Sequence, residues 1–325
     1  MRARIVATGS AVPPRVLCNA DLARTVATSD EWIVERTGIR ERRIVAEGAA
    51  SSDLGTDAAR AALQAGGWDP ADLDLILVAT CTPDMPLPST ACLIQRNLKA
   101  RRAMAFDLAA ACSGFLYGLS VADLYVRAGT CRRVLVIGTE VMSAIVDWAD
   151  RGTCILFGDG AGAVLVEPSC DDRGILSTHL HSDGDLWDLV CVPGGGSRAP
   201  ASSRMLAERQ QYMKMKGNET FKVAVKTLEA TAREALAANK MDIKDVDLFI
   251  PHQANLRILH AVAERLGLEK DRLVINMDRY GNTSAASIPL ALDQAVRAGQ
   301  VTPGCRILMA AFGSGLTWAS AVVKW

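Results

Sequence analysis

The sequence lacks the surplus of charge, the long apolar runs and the paired cysteines that mark several large classes of protein. Its 325 residues carry 36 Lys+Arg against 36 Asp+Glu. A general nucleic-acid binder needs a basic surplus to displace phosphate counterions, so that class is set aside, although a local basic patch remains open. No apolar run reaches the ~18–20 residues of a membrane helix. The opening Met1-Arg2-Ala3-Arg4-Ile5-Val6 turns strand-like at once, without a signal-peptide core. We therefore expect no membrane segment and a cytoplasmic protein. Aromatic residues are scarce at 5%, and there are only four histidines.

Cysteine is present without a framework. The nine residues (18, 81, 92, 112, 131, 154, 170, 191 and 305) are odd in number, scattered and free of any C-x-x-C pair. That pattern excludes a disulfide scaffold and a structural zinc site. Most should be small buried packing residues. Metal ligation at His252-Gln253 fails for the same reason, because no second ligand stands at a suitable spacing.

What the sequence does have is an internal repeat. Residues 59–77 and 232–250 are identical at nine of nineteen positions at an offset of 173. Val126-Arg127-Ala128-Gly129 returns as Val296-Arg297-Ala298-Gly299 at an offset of 170. In both copies a glycine ends a helical segment. Apolar runs then follow, Val134–Ile137 and Ile307–Ala310, of the kind that form strands buried on both faces. A period this long with two copies describes a duplicated α/β domain. We place the halves at 1–172 and 173–325, joined near the polar stretch 169–174. A layered α-β-α-β-α block is the expected architecture.

The offset pairs Cys112 with Asn282. Each should follow an apolar strand (Met104–Leu108, Val274–Met277) and open the helix ending in V-R-A-G. Ligands of α/β sheets bind beyond the strand carboxyl ends, where both residues lie. A thiol at a helix N-terminus meets unpaired N–H groups and the positive dipole end, which favour thiolate. Small neighbours, Ala109-Ala110-Ala111 and Ser113-Gly114, leave the sulfur approachable. His252 directly follows the expected strand 247–250 and can face the same site. The plainer alternative for each is a packed core residue.

Two glycine-rich motifs need care. Gly158-Asp159-Gly160-Ala161-Gly162-Ala163 looks like a dinucleotide loop but runs into a strand (163–166) instead of opening a helix, so we reject a Rossmann site. Phe312-Gly313-Ser314-Gly315-Leu316 can present backbone N–H groups to an oxyanion or simply turn a hairpin.

Taken in order, several motifs resemble the β-ketoacyl-acyl carrier protein synthase III family of thiolase-like condensing enzymes, nearly end to end. They are Ser29-Asp30-Glu31-Trp32-Ile33 with Arg36-Thr37-Gly38-Ile39, Ala111-Cys112-Ser113-Gly114-Phe115, and Phe157 through Ala163. Gly217-Asn218-Glu219 with Phe221-Lys222, Pro251-His252-Gln253-Ala254-Asn255, Tyr280 through Ala285, and Phe312-Gly313-Ser314-Gly315 complete the set.

The resemblance implies that an acyl-CoA acylates Cys112, after which malonyl-acyl carrier protein decarboxylates and attacks the acyl-enzyme. His252 and Asn282 would donate hydrogen bonds to the thioester enolate, and the backbone N–H groups of Cys112 and Ser314 would form an oxyanion hole. Neither metal nor other cofactor is implied. The CoA adenine would lie between Trp32 and Arg151 with Arg36 nearby, and Asn218 and Asn255 would line the pantetheine tunnel. Lys222 and Arg257, with Lys214 and Lys216, would meet the acidic carrier protein. The resemblance also implies a homodimer in which Leu87 shapes the partner's acyl pocket. Ser314 replaces a glycine common in that loop, and Pro289 implies that the helix after Asn282 starts near Ser287 or is kinked. Two alternatives stand beside this reading. One is a specialised acyltransferase of the same fold; the other is a cysteine-dependent thioester hydrolase.

Overall fold

Two sheets organise residues 2–325, which the computed structural model describes. The first contains β1 (Arg2–Ala11), β2 (Leu75–Ala79), β3 (Met104–Leu108), β4 (Val134–Glu140) and β5 (Gly160–Ser169), in the order β1-β5-β4-β2-β3. The second contains β6 (Gly174–Ser182), β7 (Leu248–Pro251), β8 (Arg306–Gly313) and β9 (Thr317–Lys324), in the order β6-β9-β8-β7. Matched strand for strand, the two orders agree. So do the pairing senses: β1–β5–β4 and β6–β9–β8 are antiparallel, whereas β4–β2 and β8–β7 are parallel.

The match ends at the fifth strand. In the first sheet β2 pairs with β3, but the second sheet has only a single parallel bridge, Phe249 to Leu273. The expected strand Val274–Met277 does not form, and Met277 instead opens the four-residue helix Met277–Tyr280. The reason is Gln253. Its Nε2 donates to Val274 O at 3.1 Å and its Oε1 accepts the Asn276 N–H at 3.0 Å, occupying groups a ladder would need.

Seven helices matter for the site: α1 (Asp30–Thr37), α2 (Ser51–Gly66), α3 (Thr90–Leu98), α4 (Gly114–Arg127), α5 (Gly217–Ala238), α6 (Leu256–Leu266) and α7 (Ser287–Arg297). Alternate strand residues face opposite sides of a sheet. Leu75, Leu77, Val134 and Val136 of the first sheet and Leu248, Ile250, Ile307 and Met309 of the second pack on one central cluster with Leu116, Leu119, Ile288 and Leu292. Their neighbours Ile76, Val78, Leu135 and Ile137 pack outward against Leu63 and Ile94, and Phe249, Leu308 and Ala310 outward against Leu228 and Leu259. Helices α4 and α7 are thus sandwiched between the sheets, with α2 and α3 outside one and α5 and α6 outside the other. Both central helices reach strand β1 through a buried aspartate. Asp123 accepts the Ala3 N–H at 3.1 Å, and Asp293 accepts the Thr8 and Ser10 hydroxyls at 2.7 and 2.6 Å.

Candidate active site

The ends of the parallel strands and the starts of the two central helices meet at a cavity of about 350 Å³. Cys112, His252, Asn282 and Ser314 all line it. Cys112 stands in the 3-10 turn Ala111–Ser113 that leads from β3 into α4. Two hydroxyls tie this turn to the β8–β9 hairpin: Ser113 Oγ donates to Thr317 O at 3.0 Å, and Thr317 Oγ donates to Ala110 O at 2.8 Å. The hairpin comes so close that a Cβ on Gly313 would lie 2.7 Å from the Cys112 nitrogen, so only glycine fits there. The loop 312–315 therefore both turns the hairpin and faces the nucleophile. Cys112 and Ser314, whose backbone N–H groups are the expected oxyanion donors, both line the cavity.

The expected thiolate is not what this environment favours at rest. Desolvation pushes the Cys112 thiol up to about 12, and the neighbouring Ser284 hydroxyl opposes this only in part. The carboxylate of Glu140 adds a further upward push. Burial therefore favours the thiol form of Cys112 over the thiolate in the free protein.

His252 continues from β7, its N–H donating to Ala310 O of β8 at 2.8 Å. Its ring is 2% exposed and its Nδ1 lies 2.7 Å from Ser287 Oγ, the first residue of α7. Burial alone depresses the imidazole pKa to about 3, so the ring is neutral at physiological pH. Asn282 is fixed on three sides. Its N–H donates to Leu156 O at 2.8 Å, its carbonyl accepts the Gly158 N–H at 3.1 Å, and its Oδ1 accepts the Ser284 N–H at 2.8 Å. The Nδ2 group is left to donate. The motif beginning Phe157-Gly158 is thus a brace for Asn282: a Cβ on Gly158 would lie 2.3 Å from Tyr280 O. Its Asp159 accepts the N–H groups of Ser143 and Val45 at 2.8 and 2.9 Å. Proline at position 289 falls in the first turn of α7, where its missing N–H costs nothing, and the helix starts at Ser287.

Other expected residues divide. The guanidiniums of Arg36 and Arg151 lie 4.5 and 4.6 Å from the Trp32 ring centre, so the three form one stack at the surface. Asn255 lines the cavity and also caps α6, accepting the Arg257 N–H at 2.9 Å and donating to Arg36 O at 3.0 Å. Asn218 does not line the cavity; it is an exposed residue of α5, and Gly217, Thr220, Phe221 and Ala224 form that wall instead. Arg257 is exposed with its guanidinium 5.6 Å from the Phe221 ring, and Lys222, the next residue after Phe221, is also exposed. Lys214 and Lys216 are drawn to acids, 4.0 Å from Asp147 and 2.6 Å from Asp188. Leu87 is 85% exposed, away from the cavity of its own chain.

Sequence reasoning missed part of the site. Cys81 and Cys191 line the cavity, so they are not ordinary packing thiols. Glu140 is fully buried at the end of β4 and accepts from Thr82 Oγ1 at 2.5 Å, Ser284 Oγ at 2.9 Å and the N–H of Thr82 at 3.1 Å. Burial raises its pKa while those donors lower it. His179 and His181 belong to strand β6, and His181 bonds Glu234 at 2.8 Å.

Comparison with known proteins agrees with this geometry. Family models described as 3-oxoacyl-[acyl-carrier-protein (ACP)] synthase III and its C-terminal part match residues 106–184 and 236–325. The β-ketoacyl-[acyl-carrier-protein] synthase III of Roseiflexus castenholzii is 53% identical over 323 residues, covering 99% of this chain and 98% of that protein. The crystal structure of the synthase III from Aquifex aeolicus is 47% identical, with a TM-score of 0.92 and coverage of 99% and 100%. A priming β-ketosynthase from the R1128 polyketide pathway is 36% identical with the same TM-score, covering 99% of this chain and 96% of that one. The chain therefore belongs to the β-ketoacyl-acyl carrier protein synthase III family, condensing acyltransferases of thiolase-like fold.

Proposed function

We propose that this cavity joins an acyl-CoA primer to malonyl-acyl carrier protein in two stages, giving a β-ketoacyl-acyl carrier protein and starting fatty-acid synthesis. The observation that carries this is the convergence of Cys112, His252, Asn282 and Ser314 on one largely apolar cavity. In the first stage the Cys112 sulfur attacks the thioester carbonyl, whose oxygen accepts from the backbone N–H groups of Cys112 and Ser314. The thiol proton ends on the departing CoA sulfur. In the second stage the malonyl thioester oxygen accepts from His252 Nε2 and Asn282 Nδ2, which stabilise the enolate left when carbon dioxide departs. That carbon attacks the acyl-Cys112 thioester, and Cys112 leaves with its electron pair and regains a proton. Two fixed donors supply the enolate stabilisation, so the reaction as drawn needs no metal or cofactor.

Trp32 with Arg36 and Arg151 offers flat cationic and aromatic faces for the CoA adenine, while Asn255 and the α5 wall offer a path for pantetheine. Arg257 and Lys222 form the docking point for the acidic carrier protein. We place the exposed Leu87 against a second copy of the chain, in a cytoplasmic homodimer. Among the described residues no helix is long and apolar enough to cross a membrane.

The likeness to a polyketide priming enzyme favours one other reading, a condensing enzyme serving a specialised pathway. Incubating the protein with a panel of acyl-CoAs, recording intact mass and then adding malonyl-acyl carrier protein tests both. The expected result is acylation that Cys112→Ser abolishes, followed by a β-ketoacyl-acyl carrier protein. A bulky or aromatic primer used in preference to short chains would favour the specialised pathway. Rapid deacylation without condensation would make the protein a hydrolase, and no adduct with any primer would refute the enzymatic reading.

A further inference from the structure

The proton on His252 decides what that ring can do, and its position follows from counting hydrogen bonds around Ser287. Ser287 is 1% exposed, so its hydroxyl proton has no solvent to turn to. Among the described residues, Ser287 Oγ has two partners: His252 Nδ1 at 2.7 Å and the Gln253 N–H at 3.4 Å. A backbone N–H can only donate, so Gln253 uses an acceptor site of the hydroxyl. If His252 Nδ1 also carried a proton, both partners would donate to Ser287 Oγ. The hydroxyl proton would then be buried without an acceptor, an arrangement native proteins avoid.

We propose that Ser287 is a positioning residue that holds His252 with its proton on Nε2, committing the ring to donate into the cavity. The Ser287 hydroxyl donates to Nδ1, and Nε2–H points where the malonyl thioester oxygen must develop charge. The opposite tautomer would turn a lone pair toward that oxygen and repel it. No carboxylate acts on His252 among the described residues, and burial is the one influence on its pKa, so nothing compensates a second ring proton. His252 is consequently not the base that takes the Cys112 proton. This sets it apart from a nucleophile–histidine–carboxylate arrangement, in which the ring is oriented to accept. The proposal rests on the condensation assigned above, and it adds a residue that no motif singled out.

The test combines spectroscopy of the free protein with the two half-reactions. Histidine labelled with ¹⁵N and ¹³C, with His252 assigned by its loss in His252→Gln, reads the tautomer by two-bond couplings within the ring. The expected wild-type pattern is Nε2–H. In Ser287→Ala the Nδ1–H form should appear, and malonyl decarboxylation should fall about tenfold or more, since part of an oxyanion donor pair is lost. Acylation of Cys112, followed by intact mass, should remain within about twofold, because that step uses other donors. Ser287→Thr, which keeps the hydroxyl, should restore both tautomer and decarboxylation. A wild-type spectrum showing Nδ1–H would overturn the proposal. So would a folded Ser287→Ala variant that keeps both the tautomer and full decarboxylation. The wild-type spectrum decides alone if the alanine variant does not fold. Failure of wild-type Cys112 to acylate would count against the proposed function, and the spectrum of the free protein would still read the tautomer.

Discussion

The two halves of the chain share a scaffold and differ in what they bring to the cavity. Strands β2 and β7 occupy equivalent places at an offset of 173, yet β2 runs into Thr80-Cys81-Thr82 and β7 into His252-Gln253. Strands β4 and β8 end at equivalent positions as well, one on Glu140 and the other on Gly313. In the first half that end is a buried carboxylate surrounded by donors, which anchors Ser284 and through it the Asn282 amide. In the second it is a residue without a side chain, which lets the hairpin approach Cys112. One half holds the nucleophile and a buried carboxyl anchor, and the other holds the His252 and Asn282 donors together with the Ser314 N–H. The lesson is that duplication supplied the placement, and later divergence at strand ends supplied the chemistry.

The division can be broken most directly at the donors. His252→Ala or Asn282→Ala should each lower malonyl decarboxylation on the order of 10²–10³-fold, the usual loss for one oxyanion donor. Acylation of Cys112 should change little. Equal loss of both half-reactions, measured separately by intact mass and carbon dioxide release, would break the assignment of His252 and Asn282 to the second stage.

The anchor comes next. Glu140→Ala leaves several buried donors without an acceptor and should cost about 3 kcal/mol or more in a denaturant titration, with Glu140→Gln milder. Little change in the midpoint would show that Glu140 is not the brace of the first half.

Acid stability sharpens the contrast with the donor half. The His252 pKa is about 3 in the folded chain against its usual 6.5, so between those values the unfolded chain binds the extra proton. Stability contributed by keeping the ring neutral is therefore present above about pH 6.5 and falls as pH drops toward 3, by about 1.4 kcal/mol per unit. His252→Gln should flatten that slope over the same window, in urea midpoints taken at stepped pH. An unchanged slope would mean the ring is freely protonated.

The smallest effect belongs to the surface. Arg257→Ala should raise the KM for malonyl-acyl carrier protein about tenfold at low salt, with less effect at high salt and little on kcat or on acylation by acyl-CoA. A fall in acylation would instead make Arg257 part of the CoA path.

Legibility in the sequence followed the same line between scaffold and contact. Cys112, His252 and Asn282 were readable because the repeat placed them at strand ends, and motif resemblance named their chemistry. The dinucleotide reading of the Gly158 motif was rightly refused from the strand that follows it. The roles of Glu140 and Ser287 were invisible, since an ordinary glutamate and a serine acquire meaning only from partners more than thirty residues away.

By itself the sequence determined the doubled α/β plan. Alternating apolar residues specify which face of each strand is buried, and helix caps and turns specify where elements stop, all of it local information. The tertiary structure alone decided the state of the chemical groups. Whether Cys112 is thiol or thiolate and whether Val274–Met277 pairs as a strand depend on desolvation and on hydrogen-bond partners brought in from distant segments. Those are properties of an assembled neighbourhood, which no single stretch of chain contains.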